Sequence, residues 1–492
     1  MKQTASAQAQ RGTLALTLTA SGGTFLAMLD STVTNLAVPD MQHDFASASL
    51  PALSWVISGY AVLFAALLTS AGLLADVLGR RRLFVGGIIT FTLASLLCAL
   101  APSLPVLIAT RMLQGAGAAA MIPASLAILL LDGPADQRVK SIGIWSAASA
   151  FAAAVGPSVG GVLVESLGWR SVFYINLPFG VLLTVAALTR IPRTVVDPAA
   201  RRFPDPLGTV LLTLGIGALT LGITEGSDWG WLDVRTLAVF VAGVLAVGVV
   251  VPRSLRHRSP AIDLSLLGHR PFAVTNLVSL LYGMAQYPWL LASVICLTNV
   301  WHYSELDAGL AMTPGAVTAS VAALAMSRLA PKVGGPRTVA IAGLAVFLVC
   351  GVWLVLGLGD TPAFWTLWFP VASLAGIGMG LVTMGTAASA AFSAPPVRFA
   401  TASGLNTTAR QFGGALGIAA FAVFVDGHRK VDSASVFTSV FVFSTVVVVI
   451  GLVLAVVALR PAPPAAAAVP APAAPPAGAD GTPSTREPAQ PN

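Results

Sequence analysis

Two charged side chains lie deep within long apolar stretches, where charge is rare. Asp30 falls inside the stretch 14–38, and Arg111 falls inside the stretch 104–131. A charge near the middle of a bilayer costs on the order of 3 kcal/mol, so each should face a cavity or a partner. A carboxylate there can load and release a proton, whereas an arginine stays charged and acts electrostatically. We therefore predict a proton site at Asp30, with a structural acid hydrogen-bonded to a neighbouring helix as the alternative. For Arg111 we predict an electrostatic role, holding an anion, a backbone carbonyl or a water chain.

A charged loop with two glycines follows the next apolar stretch. The loop runs from Gly72, Gly79 permits a tight turn, and Arg80 and Arg81 can anchor the loop at the cytoplasmic face. Asp76 can pair with a basic residue or with a helix N-terminus. These five residues predict a gating loop that holds one conformation, and the alternative is a loop that only fixes membrane orientation.

The segment 156–161, GPSVGG, contains a proline and three glycines within an apolar stretch. Pro157 removes a helix hydrogen bond, while Gly156, Gly160 and Gly161 let another helix approach closely. We interpret this segment as a pliable helix–helix contact, with a static kink as the alternative.

Aromatic and polar residues within the apolar stretches outline a candidate substrate cavity. Aromatic faces bind flat lipophilic or cationic molecules adaptably. Some of these residues can instead belong to packing or to the interfacial belts, and Arg410 can extend toward a membrane face. The candidates are Asn35, Trp55, Tyr60, Gln114, Tyr282, Gln286, Trp289, Asn406 and Arg410.

The elements that must position these residues are membrane-spanning helices. The 492 residues are 56% hydrophobic and only 10% charged, and the apolar residues form blocks of about 18 or more, enough to cross a bilayer. Fourteen blocks are present, and with both termini cytoplasmic most of the 27 Lys and Arg residues face the cytoplasm, as the positive-inside rule requires. The first block is too long for a signal peptide, so we expect it to be retained.

The blocks divide into two related sets. Residues 74–79 and 329–334 share the frame Leu-Ala-x-x-x-Gly in loops of the same sidedness, which indicates parallel repeats. We predict an all-α polytopic membrane protein with two six-helix bundles and two additional helices between them. The predicted regions are a cytoplasmic N-terminus (1–13), a first bundle (14–190), the inserted helices (207–252), a second bundle (271–459) and a disordered Pro/Ala-rich cytoplasmic tail (460–492).

Several other classes of protein are disfavoured. The net charge of +7 comes from short basic runs between apolar blocks, which is typical of membrane anchoring and not of nucleic-acid binding. The three cysteines lie at unrelated spacings within apolar blocks, so the sequence predicts neither a metal site nor a disulfide. The five histidines are scattered over loops without a nucleophile–base pair, and we do not expect an enzyme.

The motifs together resemble the major facilitator superfamily. Residues 72–81, GLLADVLGRR, are similar to its loop signature, residues 111–117, RMLQGAG, to its fourth-helix signature, and residues 156–161 to the signature of its antiporters. Residues 29–39 (LDSTVTNLAVP), 169–178 (WRSVFYINLP) and 410–417 (RQFGGALG) resemble its fourteen-span drug:proton antiporters. The resemblance implies alternating access, with Asp30 as the coupling acid, Arg111 as its partner, and Asp76, Arg80 and Arg81 as the gating latch.

The chain departs from this pattern at two positions. The fifth span is alanine-rich before Gly156, where relatives often have more glycine. The tenth predicted span has no acidic residue, which argues against export of divalent cations.

From these features we expect a proton-coupled antiporter that exports small lipophilic or cationic compounds, such as drugs, antibiotics and dyes. The alternative is a dedicated exporter of an endogenous secondary metabolite such as a self-made antibiotic, and a nutrient symporter fits less well. We expect a monomer in the cytoplasmic membrane whose partners are the lipid bilayer, protons and a small-molecule substrate. The proton-motive force is the expected driving force, and no cofactor is expected.

Overall fold

The computed structural model describes residues 2–46, 50–193, 205–261, 264–426 and 433–459, and throughout these ranges the regular structure is helical. The first half contains α1 (Lys2–Asp44), α2 (Leu50–Leu78), α3 (Arg80–Ala99), α4 (Leu104–Leu131), α5 (Arg138–Leu167), α6 (Ser171–Tyr174) and α7 (Asn176–Arg190). Two helices follow, α8 (Pro206–Trp229) and α9 (Val234–Arg256). The second half contains α10 (Leu264–Gly268), α11 (Arg270–Ile295), α12 (Glu305–Leu329), α13 (Pro336–Gly357), α14 (Phe369–Phe392), α15 (Phe399–Asp426) and α16 (Ala434–Ala458). The predicted disordered tail lies outside the described residues.

Within the described ranges, 13 helices are long and apolar enough to cross a membrane. The predicted count of fourteen spans is therefore not confirmed. The predicted fifth span lies in the 30-residue helix α5, which is not among the 13. The predicted sixth span falls within one of the 13, Ser171–Arg190, which is made up of α6 and α7.

The two halves pair their helices in the same way. Helix α3 packs on α4 where a Cβ at Gly117 would lie 2.9 Å from the carbonyl oxygen of Gly87. Helix α13 packs on α14 where a Cβ at Gly343 would lie 2.8 Å from the carbonyl oxygen of Gly378. Small residues let helices approach closely in lipid, where the hydrophobic effect contributes little to helix association. The shared pattern supports the repeat predicted from the sequence.

The two halves share a buried apolar core at one end only. We call this end the basic face, because it carries Arg80, Arg81, Arg138 and Arg398; the other end is the opposite face. The core of the basic face combines residues of both halves, including Leu130 and Ile142 with Ala391. The other large clusters of the described residues each belong to one half. The structure is therefore closed at the basic face.

Helices α8 and α9 form a hairpin beside the two halves, and α8 packs on both α2 and α15. The hydroxyl groups of Ser70 and Thr213 lie 3.2 Å apart at the α2–α8 contact. At the basic face, hydrogen bonds from Arg253 lower the pKa of Asp205 to about 2. Asp205 and Glu225 are also buried, both near ends of α8.

Candidate functional site

Asp30 and Arg111 meet inside the first half as a fully buried ion pair. Asp30 comes from α1 and Arg111 from α4, and the guanidinium Nη1 lies 2.6 Å from the carboxylate Oδ2. Both side chains are about 1% exposed or less. Arg111 also donates from Nε to the carbonyl oxygen of Val56, at 3.0 Å. The sequence-predicted pair is therefore in direct contact, and its two charges compensate each other in the membrane interior.

Two amides complete the shell around the carboxylate. Gln114 stands one turn after Arg111 on the same face of α4 and donates to Asp30 Oδ1 at 2.8 Å. Asn176, the first residue of α7, donates to the same oxygen at 2.6 Å. Ser95 of α3 accepts from Gln114 at 2.7 Å. Helices α4 and α7 thus donate hydrogen bonds to a carboxylate of α1, and Ser95 joins α3 to the same network.

Asn176 is the site residue that the sequence analysis missed. Asn176 is the first residue of α7, and its side chain points inward and is fully buried. Its Oδ1 is buried and has no hydrogen-bond partner within the described part of the chain. The available signal was a single amide within a segment that was otherwise treated as one apolar span.

Aromatic rings close the site against solvent. The guanidinium of Arg111 lies 4.5 Å from the ring centroid of Tyr60 and 5.6 Å from that of Phe173. Protonation of Asp30 would remove the ion pair and leave Arg111 with neutral partners. Because an uncompensated buried charge is costly, such a change of proton occupancy would favour a rearrangement of α1 against α4.

The gating-loop residues divide into two groups in the structure. Asp76 crosses to the second half, where its Oδ2 accepts from the Thr401 backbone N–H at 2.9 Å and from the Thr401 hydroxyl at 2.6 Å. Thr401 lies in the first turn of α15, so the carboxylate occupies a helix N-terminus. Gly72 lies nearby, and a Cβ there would be 2.6 Å from the carbonyl oxygen of Ala400.

Arg80 and Arg81 instead bind within the first half. Arg80 makes a bidentate contact with Asp132 at the end of α4, with Nε 2.8 Å from Oδ2. Arg81 donates to the carbonyl oxygen of Leu188. Gly79 has φ of 98°, a conformation that glycine adopts without strain. Of the predicted latch, Asp76 crosses between the halves, whereas Arg80 and Arg81 secure the loop to its own half; the gating role stays a prediction.

The segment 156–161 packs α5 on α1. A Cβ at Gly156 would overlap the Thr32 side chain, and one at Gly160 would lie 3.2 Å from Val33 and Leu36. A Cβ at Gly161 would meet nothing within 4 Å. Helix α5 continues through Pro157. The predicted helix contact is therefore made by Gly156 and Gly160, next to the turn of α1 that carries Asp30.

The residues predicted to line a substrate cavity do not lie together. Tyr60 and Gln114 belong to the buried Asp30 site, and Trp289 packs in the core of the second half, 5.1 Å from Phe347 and 4.9 Å from Phe441 between ring centroids. Asn35 is exposed, and Trp55 is half-buried. The remaining four lie on α11 and α15 of the second half: Tyr282, Gln286, Asn406 and Arg410.

Comparison with known proteins places the chain among membrane transporters. The sequence model of the Major Facilitator Superfamily matches residues 20–417 and, in a second match, residues 272–488. The chain is 33% identical over 406 residues to Multidrug resistance protein Stp of Mycobacterium tuberculosis, covering 82% of this chain and 74% of the relative. It is 36% identical over 403 residues to Cephamycin export protein CmcT of Amycolatopsis lactamdurans (80% and 81%). It is 32% identical over 409 residues to Tetracenomycin C resistance and export protein of Streptomyces glaucescens (82% and 74%).

Solved structures share the fold at low sequence identity. The human organic anion transporter MFSD10 aligns with a TM-score of 0.67 at 16% identity, covering 90% of this chain and 99% of that one. The proton:xylose symporter XylE aligns with a TM-score of 0.66 at 14% identity, covering 92% and 96%.

Proposed function

The chain belongs to the major facilitator superfamily, and we propose that it is a proton-coupled antiporter that exports small lipophilic compounds, including drugs and antibiotics, across the cytoplasmic membrane. The observation that carries this proposal is the buried Asp30–Arg111 pair with its two amide donors. A proton that neutralises Asp30 changes the charge of a site joining four helices of the first half. No chemical step on the substrate is required.

The proposed cycle uses the two faces of the molecule. By the positive-inside rule the basic face is cytoplasmic. The Asp76–Thr401 contact and the apolar core shared by both halves hold that face closed. The basic face opens only when the Asp76–Thr401 contact and the shared core both separate. Binding of a proton at Asp30 shifts the equilibrium between the closed and the open state. Protons are the proposed driving ion, the protein is proposed to work as a monomer without a cofactor, and the tail is proposed to lie in the cytoplasm.

A second candidate is export of one endogenous metabolite by the same mechanism. The names of two relatives, for cephamycin export and for tetracenomycin C resistance and export, favour it. The name of the Stp relative, a multidrug resistance protein, favours a broad substrate range. The two candidates differ in breadth and not in the coupling site.

The test is efflux from energised bacterial cells that lack their own major exporters. Cells expressing the chain are loaded with fluorescent lipophilic dyes of anionic, neutral and cationic charge, with and without a protonophore. Faster efflux of several dyes that the protonophore abolishes supports the broad exporter, and protonophore-sensitive efflux of a single compound supports the dedicated exporter. Efflux that persists after the proton gradient collapses would contradict proton coupling.

A further inference from the structure

Arg410 is a second arginine within a membrane-spanning helix, and its charge is not compensated. It lies in α15, about 16 Å along the helix axis from Phe399. Its side chain is half-buried. Within the described ranges, no carboxylate lies at ion-pair distance from it, whereas the Arg111 guanidinium is bound by Asp30.

The surroundings of Arg410 place it inside the protein and not against lipid. Its backbone packs against Gly283 of α11, where no side chain would fit. One turn further along α15, the Tyr287 ring of α11 packs against Gly414, and the Tyr287 hydroxyl donates to Gln411. The Tyr282 ring is instead fully buried against Phe347, with its hydroxyl donating to the carbonyl oxygen of Met379 at 3.1 Å. Arg410 therefore shares a polar region with Tyr287.

The helices that pack on α15 carry few acidic groups. Helices α4, α11, α14 and α16 contain none. Asp76 of α2 is bound to Thr401 at the basic face. Glu225 and Asp228 stand in the last part of α8 and Asp426 at the end of α15, toward the opposite face. The region around Arg410 therefore keeps a net positive charge.

A lone cation at membrane depth is costly unless it faces water or meets an anion. Guanidinium binds carboxylates through two parallel hydrogen bonds, and tyrosine rings can flank an apolar scaffold. Resting on the proposed export function, we propose that Arg410 with Tyr287 forms a substrate subsite for lipophilic compounds that carry an anionic group, a carboxylate or phenolate. The subsite selects anionic over cationic substrates, whereas the sequence analysis expected lipophilic or cationic compounds.

The test is equilibrium binding to the purified full-length protein in lipid nanodiscs, measured by fluorescence anisotropy. The probes are fluorescein, which is anionic, and rhodamine 6G, which has the same ring system and is cationic. We expect Arg410→Gln to weaken fluorescein binding by about tenfold or more while leaving rhodamine 6G binding unchanged, and Arg410→Lys to retain part of the affinity. Arg170→Gln, which removes an exposed arginine at the opposite face, is the matched control. Thermal unfolding of each variant checks that it is folded.

Three outcomes would overturn the proposal: no fluorescein binding by the wild type, equal affinity of wild type and Arg410→Gln for fluorescein, or equal loss of both dyes. Two competition experiments distinguish a substrate subsite from a site for inorganic anions or for lipid headgroups. Displacement of fluorescein by inorganic phosphate at matched concentration indicates a simple anion site. If fluorescein binding is lost in nanodiscs of anionic lipid but not in other nanodiscs, the site binds lipid headgroups. Either result would also contradict the subsite.

Binding does not depend on proton coupling, so the two proposals fail separately. Arg410-dependent fluorescein binding without protonophore-sensitive efflux would contradict the coupling mechanism alone. Protonophore-sensitive efflux with binding that ignores substrate charge would contradict the subsite alone.

Discussion

Asp30 of α1 and Arg111 of α4 form an ion pair at 2.6 Å that is almost completely enclosed. The same half contains a second pair, Asp44–Arg170, whose side chains are 46% and 41% exposed. Removing one partner of a buried pair leaves the other charge uncompensated, whereas an exposed charge is stabilised by water. The two pairs therefore form a matched comparison within one protein.

We predict that Asp30→Ala and Arg111→Ala each destabilise the protein by about 3 kcal/mol or more, because each leaves a buried charge unpaired. The double variant should cost less than the sum of the single variants. Asp44→Ala and Arg170→Ala should each cost under about 1 kcal/mol. Thermal unfolding of the purified wild type and of the five variants measures the stability of each. Additive effects at the buried pair would contradict the assigned contact.

Asn176 should contribute to transport although it carries no charge. Asn176→Ala removes a hydrogen bond at 2.6 Å to Asp30 Oδ1. We expect the initial efflux rate to fall by about tenfold at equal protein levels, because a hydrogen bond to a charged group contributes about 1.5 kcal/mol or more. Asn299→Ala, at an exposed position, is the control. An unchanged rate for Asn176→Ala would remove Asn176 from the site.

The contact between Asp76 and Thr401 should control how often the basic face opens. Ser327 is buried where α12 packs on Gly143 of α5, and the three native cysteines are also buried, so Ser327→Cys provides a reporter with low background. Adding Asp76→Ala should speed labelling of that cysteine by about tenfold, since two hydrogen bonds to a carboxylate are lost. Removing the exposed Asp136 of the same face should not. Equal labelling rates with and without Asp76 would show that the contact does not hold the face closed.

The close contact of α5 with α1 should depend on Gly156 and not on Gly161. Gly156→Ala places a methyl group against the Thr32 side chain, whereas Gly161→Ala meets nothing within 4 Å. We expect Gly156→Ala to destabilise the protein by about 1–3 kcal/mol and to impair efflux, and Gly161→Ala to do neither. Thr32→Gly should partly restore the Gly156→Ala variant. Equal behaviour of the two alanine variants would contradict the packing described for this segment.

The sequence predicts the centre of the site well but not its full shell. Asp30, Arg111 and Gln114 are polar residues in apolar helices, and the three-residue spacing of Arg111 and Gln114 places both on one face of α4. Asn176 lies in the motif at residues 169–178, but a single amide near the start of an apolar span does not by itself indicate a contact with Asp30.

Contacts between the halves could not be predicted from local patterns. Thr401 meets Asp76 across 325 residues, and Trp289 packs in an aromatic core although its residue type suited a cavity equally well. Helix type and approximate bounds follow from hydropathy, whereas these pairings depend on how two separately folded sets of helices meet.

The most direct test of the central claim, that Asp30 couples protons to export, compares two transport modes in proteoliposomes. One mode is dye accumulation driven by an imposed pH gradient, and the other is dye exchange at equal pH. We predict that Asp30→Asn, at equal amounts of folded protein, loses gradient-driven accumulation but keeps exchange, while Asp44→Asn retains both. Gradient-driven accumulation by Asp30→Asn at the wild-type level would contradict the claim.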